Sequence, residues 1–336
     1  MTVNVTKPAL NIREKLAELD KPSGIAGEAM LRADSVQEQR NLIGAGRKNI
    51  LINGSFQVSQ RGSWASATAA VNGAITVDRW QVHLGTVSAT AQDTGKKLKI
   101  AATSTNASAY LIQQQIVEFH TDYASKTVTA SAKITSNNAN ARLGIYDGVT
   151  HFSSPAHSGN GTEELLTVTA TLGASPTTLK IRPIIASAIA GSVSITSGDY
   201  IEFGEVQLEL GSVATDFEHR SYGEELALCQ RYYYLHVSGV NKQIASAAYY
   251  TSTSAYGHVS FPVTMRSIPS LEASSGSSHF TMYANSIGRT SNSLVAQGGT
   301  ESQINVYLTT STATAGHGGF LYSNSASTRV AFDAEL

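Results

Sequence analysis

The sequence is short of charge, of cysteine and of long apolar runs, and each shortage closes off a class of function. Asp, Glu, Lys and Arg make up 15% of the 336 residues, well below the roughly 25% of an ordinary soluble domain, whereas Ser and Thr together number 74. That balance predicts β structure with a polar, weakly charged surface. The 24 basic residues stand against 25 acidic ones, a formal net charge of −1. There is therefore no electrostatic footprint for gripping a phosphate backbone or an anionic membrane, and nucleic acid is not expected as a partner. A single cysteine, Cys229, excludes an intramolecular disulfide framework and any cysteine-rich zinc or iron–sulfur site. No apolar run approaches the roughly 20 residues of a membrane span, and the leading MTVNVTKPALNIREK holds no hydrophobic signal core. The expectation is a chain made in a cytoplasm, with no membrane insertion. What the sequence does have is apolar side chain, 41% of its residues, enough to build cores and to exclude global disorder.

Charge is unevenly placed: 14 charged side chains fall in the first 49 residues and 11 in the last 116. The N-terminal stretch reads as helical. Asn11 can cap a helix with Glu14 at the third position, and Ile12, Leu16 and Leu19 fall at i, i+4 and i+7 before Pro22 ends the pattern. A second short helix starts around Ile25, or restarts at Ser35 with Glu38 completing a capping box, and ends at Gly44. Its apolar side includes Met30, Val36, Leu42 and Ile43. Helices of two or three turns are marginal alone, so residues 1–45 are expected to need a partner surface, either another copy of the chain or a larger assembly.

From Lys48 onward the period changes to two, with Asn53-Gly54, Asn72-Gly73, Asp147-Gly148 and Asn160-Gly161 as tight-turn dipeptides between short runs. Val128, Ala130, Ala132 and Ile134 alternate with polar residues, as do Leu166, Val168 and Ala170, so each run reads as a strand with one dry face. In YIEFGEVQLELG the apolar set shifts phase at Gly204, which a β-bulge absorbs; Glu205, Gln207 and Glu209 are then expected to face solvent. Many short strands with turns between them predict an antiparallel jelly-roll sandwich of roughly eight strands, placed at 46–218. SYGEELALCQRYYYL interrupts the β pattern with another capping box, Ser221 and Glu224, and predicts a connector helix over 219–234. Residues 235–336 read as a second, smaller β domain. Its thin aliphatic content predicts that it buries surface against identical copies.

Several blocks resemble those of bacteriophage tail-fibre proteins, of short-tailed phages and their prophage relatives. They are NIREKLAELDKPSGIAGEAMLRADSVQEQRNLIGAG at 11–46, KNILINGSFQVSQRG at 48–62, VDRWQV at 77–82, GEVQLELGSVATDFEHRSYGEELALCQRYYY at 204–234 and FPVTMRSIPSL at 261–271. They cover roughly a third of the chain in the same order. The resemblance implies a homotrimeric virion fibre. Its N-terminus would join other virion proteins of the tail or an adaptor, its middle would be a carbohydrate-binding-module-like jelly roll, and its C-terminal domain would face the host. The absence of a β-helix or coiled-coil shaft departs from longer fibres, so a stubby fibre, or one elsewhere on the virion such as the head, fits equally well.

The groups that carry chemistry are weak as motifs. None of the nine histidines forms an H-x-x-x-H or H-E-x-x-H pair, so local spacing predicts no metal site, and no cofactor is expected. Cleaving a glycosidic bond needs two carboxyls about 5 to 9.5 Å apart, but Glu163-Glu164, Glu205 with Glu209, and Glu224-Glu225 all have plainer places at strand or helix positions. No G-x-S-x-G elbow occurs. Aromatic side chains weigh more, because sugar rings stack on Trp and Tyr. Trp64 in a loop-like stretch is one such platform, while Trp80 reads as core. The C-terminal region combines Tyr with Asn, Ser and Gln and, in a fibre anchored at its N-terminus, lies farthest from the particle. Tyr256, His258, Tyr283 and His317 are its candidate receptor-binding residues, with inter-subunit packing as their plain alternative. The leading expectation is a non-enzymatic adhesin attaching a virion to a host-surface glycan or protein. A glycan depolymerase and a purely structural virion fibre are the competing readings.

Overall fold

A computed structural model describes residues 48–336. The expected anchor over 1–45, with Ile12, Leu16, Leu19 and Met30, lies outside the described residues. The described chain is mainly antiparallel β. Its first part runs through β1 (Thr68–Ala70), β2 (Gln81–Leu84), β3 (Ala89–Asp93), β4 (Lys97–Ala102), β5 (Asn106–Ala109), β6 (Leu111–Ile116) and β7 (Thr127–Ser136). It continues through β8 (Ala141–Tyr146), β9 (His151–Ser153), β10 (Glu163–Thr171), β11 (Lys180–Ile185), β12 (Val193–Ile195) and β13 (Tyr200–Leu210). A six-stranded sheet of order β1-β3-β4-β13-β7-β10 faces a five-stranded sheet of order β2-β6-β11-β8-β9, and β5 pairs with β12 at the side. The chain crosses from one sheet to the other at most connections, so both inner faces close on one core. Thirteen strands replace the expected eight or so. The surplus is in pieces such as β1, β5, β9 and β12, three or four residues each, too short to show an alternation.

The centre of that core is aromatic. Phe56, Trp80 and Phe203 meet pairwise with ring centroids 5.2, 5.4 and 5.7 Å apart, tilted and edge-on geometries that add roughly 0.5–1.5 kcal/mol per pair to the burial itself. The long strands behave as their alternation predicts. Val128, Ala130, Ala132 and Ile134 on β7 and Leu166, Val168 and Ala170 on β10 all point into the core. The phase change in β13 is a bulge: its register against β7 shifts between Gly204 and Gln207, and Glu205 sits there at φ 48°. Glu205 remains near the surface, paired with Lys133 at 2.7 Å.

Gln207 and Glu209 are buried rather than solvent-facing. Residues 211–218 fold back as a strap over this face. Thr215 N–H donates to Glu209 Oε1 at 2.8 Å, and Glu218 N–H donates to Gln207 Oε1 at 2.9 Å. Asn53-Gly54 likewise serves no hairpin. Asn53 is buried, its Nδ2 donates to the carbonyls of Val58 and Asp78, and its backbone N–H donates to Glu225 Oε1 at 2.5 Å. Gly54 lies so close to β13 that a Cβ would sit 2.2 Å from the Val206 carbonyl, so only glycine fits.

The connector helix α1 (Tyr222–Gln230) begins as its capping box predicts, with Ser221 accepting from the Glu224 N–H. It stops earlier than 234, because Tyr233 already belongs to a strand. Then follow β14 (Tyr233–Ser238), β15 (Gln243–Tyr249), β16 (Ser254–Ser260), β17 (Ser270–Ala273) and β18 (Phe280–Ala284). The chain ends through β19 (Ile287–Ser291), β20 (Val295–Gly299), β21 (Gln303–Thr309), β22 (Gly318–Ser323) and β23 (Arg329–Asp333). A three-stranded sheet β14-β23-β17 covers one face of a seven-stranded sheet β19-β18-β22-β15-β16-β21-β20, around a second core between Val237 and Ala334.

A polar seam joins the two sandwiches. Arg79, almost fully buried, pairs with Glu335, donates to the Ile116 carbonyl at 2.7 Å and lies 3.6 Å over the Tyr232 ring. Arg61 pairs with Asp333 at 2.8 Å and stacks on Tyr233. Gln60 donates to buried Asp78 through its backbone and side chain and also reaches the Tyr233 carbonyl. Burial pushes the Asp78 carboxyl up to about 6.

Candidate functional site

Among the described residues, the three-stranded sheet covers one face of the seven-stranded sheet, and the alternation within the strands decides what the other face presents. In SAYGHVS on β16, Ala255 and Val259 go inward, leaving Tyr256 and His258 outward. In QINVYLT on β21, Ile304, Val306 and Leu308 go inward, leaving Asn305 and Tyr307 outward. Pairing sets Tyr256 opposite Tyr307 and His258 opposite Asn305, and Tyr283 opposite Phe320. Three of the five expected receptor residues, Tyr256, His258 and Tyr283, thus share one face.

Two aromatic groups stand on it. Tyr256 and Tyr307 are stacked at 5.0 Å and 20°, with Tyr250 edge-on to Tyr256 at 5.7 Å. Across the sheet, Tyr283 and Phe320 both meet Tyr322 edge-on, at 5.7 and 6.4 Å. Between them runs β15, whose outward residues Ser246 and Ala248 are small. Two strand spacings separate β22 from β16, so the aromatic walls stand roughly 10 Å apart over a low floor. Polar groups line one wall: His258 lies 3.4 Å from Asn305 Oδ1 and 3.3 Å from Ser260 Oγ. None of the four strands β22, β15, β16 and β21 carries Asp, Glu, Lys or Arg. The trough can therefore hold a neutral, flat-faced ligand by stacking and hydrogen bonds.

The remaining expected residues are placed differently. His317 belongs to the turn entering β22; its N–H bonds to the Thr314 carbonyl and its own carbonyl accepts from Tyr249. Trp64 is half-buried against the first core, with its indole N–H buried and unpartnered. Tyr249, on neighbouring β15, is not part of the face but core, its hydroxyl 3.0 Å from Thr310 Oγ1. Phe320, Ser246, Ala248 and Asn305 went unrecognised in the sequence, although the period-two pattern of QINVYLT sets Asn305 and Tyr307 on one side.

The paired acids have structural partners. Glu163 pairs with Lys97 at 2.6 Å, Glu164 accepts from Ser158, and Glu209 holds the 211–218 strap. Glu225 accepts from the Asn53 N–H and pairs with Arg220 at 3.4 Å. Among the described residues no group of three or more His, Cys, Asp or Glu is arranged to hold a metal ion, and no helix is long and apolar enough to cross a membrane. Burial pushes the Cys229 thiol well up.

No family model matches the chain, and no curated protein matches it. Among solved structures it is similar to the enzymatically active domain of tailspike protein 4 of bacteriophage CBA120, at 12% identity over 48% of this chain and 21% of that one, TM-score 0.31. It is also similar to the CBM22-1 xylan-binding domain of Xyn10C from Paenibacillus barcinonensis, at 14% identity over 46% of this chain and 99% of that one, TM-score 0.29. A third is the family 11 carbohydrate-binding module of Lic26A-Cel5E from Clostridium thermocellum, at 12% identity over 46% and 99%, TM-score 0.27. The chain spans about a fifth of the tailspike domain's length. TM-scores this low leave the assignment of a site to the residues themselves.

Proposed function

We propose that the chain is a trimeric, non-catalytic adhesin of a phage virion. In this reading residues 1–45 join it to tail or adaptor proteins, the first sandwich is a jelly roll, and the open face of the seven-stranded sheet takes a host-surface glycan. The observation that carries the glycan-binding part of this reading is the trough between Tyr256/Tyr307 and Tyr283/Tyr322/Phe320, floored by Ser246 and Ala248; the virion and trimer parts rest on the resemblance of the sequence blocks. Rings of this kind offer large contact area at low entropic cost, and His258, Asn305 and Ser260 supply hydrogen bonds for hydroxyl groups. Affinity per site would be weak, with three chains per fibre and several fibres per particle raising the effective concentration. The structural roles of the paired carboxylates favour binding over cleavage.

The test is adsorption. The purified full chain should block attachment of the phage to its host, and a Tyr256→Ala/Tyr307→Ala variant with an unchanged circular dichroism spectrum should not. Full blocking by the double variant would overturn the assignment of the face. Release of new reducing ends from host polysaccharide would favour a depolymerase, and a monodisperse monomer would remove the trimer.

A further inference from the structure

On the outer face of the five-stranded sheet stand cations that no carboxylate of the described residues neutralises. Alternation on β11 and β8 sends Ile181 and Ile185, and Leu143 and Ile145, into the core, leaving Lys180, Arg182, Arg142 and Tyr146 outward. Arg182 is held in place from both sides. Its Nε donates to Gln114 Oε1 at 3.1 Å, Gln114 Nε2 donates to Gln81 Oε1 at 2.8 Å, and Gln81 Nε2 donates to the Gly73 carbonyl at 3.0 Å. On its other side the guanidinium carbon lies 4.5 Å from the centre of the Tyr146 ring. This relay uses Nε alone, so the two terminal nitrogens of Arg182 have no partner among the described residues. Lys180, directly opposite Tyr146 across the sheet, likewise forms no ion pair among the described residues.

Among the described residues no carboxylate acts on this pair. Burial lowers both Arg182 and Lys180, Arg182 lowers Lys180 further, and only the phenols of Tyr146 and Tyr110 oppose the effect at Arg182. His83 and His151 are lowered by burial and by Arg182, and the His151 Nε2 is buried without a partner. Gly144 makes room for that ring, since a Cβ there would come within 2.7 Å of it. Glu335 borders the face beside Gln81 and Gln114, but Arg79 already engages it. A protein of net charge −1 that keeps oriented, partly desolvated cations without counter-charges has a face suited to an anion.

We propose that the outer face of the five-stranded sheet is a second binding site, for a saccharide carrying carboxylate groups, with Arg182 and Lys180 receiving the acid. Gln81, at a half-exposed position, can supply a hydrogen bond to a neighbouring hydroxyl, while buried Gln114 holds Arg182 in place. Nucleic acid fits less well: its stacking platforms need free ring faces, and here the Tyr146 ring is capped by Arg182 and the Tyr110 ring by His83 at 5.3 Å. This proposal does not depend on the C-terminal trough.

The test is calorimetric titration of the full chain with hexagalacturonate, its fully methyl-esterified neutral form, and inorganic phosphate. Hexagalacturonate should bind and the ester should bind roughly tenfold more weakly or not at all, the size of one lost charge-assisted contact. Lys180→Ala, at a half-exposed position, and Arg182→Ala should each weaken binding several-fold, whereas Tyr256→Ala should leave it unchanged. The proposal is overturned by silence with hexagalacturonate, by equal binding of the ester, by phosphate binding as tightly, or by Lys180→Ala binding like the parent. Loss of adsorption in the Tyr256 variant with intact hexagalacturonate binding would separate the two sites.

Discussion

The two sandwiches dispose of their aromatic side chains in opposite ways. The first gathers Phe56, Trp80 and Phe203 at the centre of its core and presents amides and cations on the outer face of its five-stranded sheet. The second fills much of its core with Ile, Val, Leu, Met and Ala beside Phe280 and Phe332, and leaves Tyr250, Tyr283 and Phe320 79%, 48% and 46% exposed. Apolar surface left in water forgoes about 25 cal/mol per Å². Such a pattern in a region poor in large aliphatics means that rings available for the core are retained on the surface. The same distinction separates a charged surface from a neutral one, and so two chemistries of recognition.

The largest effect expected from this contrast is on stability. Trp80→Ala removes the centre of the aromatic trio and the indole N–H bond to the Asn53 carbonyl, and should cost about 4 kcal/mol. Tyr256→Ala, which strips one partner of an outward stacked pair, should cost about 1 kcal/mol. Urea unfolding followed by circular dichroism measures both. Equal costs would break the comparison, because Tyr256 would then be acting as core.

A second effect lies where the sandwiches meet. Asp78 is buried beside Gln60, Arg61 and Glu335, and burial raises its carboxyl from 3.8 to about 6. The folded state therefore binds this proton more readily than the unfolded chain does, so stability falls as pH rises from about 4 to about 6 and is regained on acidification. The shift corresponds to roughly 3 kcal/mol. His83, His151 and His236 are lowered by burial, and their contribution is lost as pH falls below 6.5. Asp147 is lowered by hydrogen bonds from backbone N–H groups that outweigh its burial, and its contribution is lost only below the ordinary Asp range. The difference between parent and Asp78→Asn isolates the Asp78 component: the parent should gain on the variant by roughly 3 kcal/mol between about pH 7 and about pH 4. A flat difference curve would show that Asp78 is not desolvated by the junction.

How much of this is legible in the sequence depends on whether a strand's neighbours matter. The inward sets of β7 and β10, the bulge at Gly204 and the Ser221 cap are local patterns, and they appear where the residues predict. Burial of Gln207 and Glu209 is invisible to such reading, because strand alternation cannot know that residues 211–218 will fold back over them. The same holds for Asn53-Gly54, a turn dipeptide by composition and a buried organiser by contact. Of the C-terminal trough, Tyr256 and His258 follow from one strand. Phe320, Ser246 and Ala248 require the strand order, since β22, β15 and β16 become neighbours only in the sheet. The cationic face is the extreme case: Gln81, Gln114, Arg142 and Arg182 come from four strands spread over a hundred residues, and an even global charge hides them.

A third and smaller effect probes whether the sandwiches are independent. Arg79 crosses from the first to Glu335 and Tyr232 of the second. Breaking a buried ion pair costs several kcal/mol, but Glu335 keeps Arg61 at 3.5 Å, so Arg79→Ala should cost about 2 kcal/mol. Two separate cores predict that calorimetry, which can show one unfolding transition for the parent, resolves two for the variant, the less stable one belonging to the charge-poor C-terminal sandwich. A single transition merely shifted downward would mean that the remaining seam, Arg61 with Asp333 and Gln60 with Tyr233, is enough to make both sandwiches one cooperative unit.

The smallest expected effect is the most discriminating between the two surfaces, because it is close to zero on one of them. Ion pairing between exposed charges is screened over about 10 Å at 0.1 M salt and about 3 Å at 1 M, whereas stacking and neutral hydrogen bonds are not. The strands of the C-terminal trough carry no charged side chain, so attachment through Tyr256 and Tyr307 should change less than about twofold in affinity between roughly 0.05 and 0.5 M sodium chloride. Hexagalacturonate held by Arg182 and Lys180 should weaken several-fold over the same range. The measurement is a pair of titrations on one preparation, with host-surface glycan and with hexagalacturonate, each at both salt concentrations. A steep salt dependence of glycan attachment would move the receptor from the neutral trough to the cationic face and merge the two sites into one. Parallel flat responses would leave the trough standing and remove the role of charge at Arg182, reducing that face to an amide-lined surface with a structural arginine.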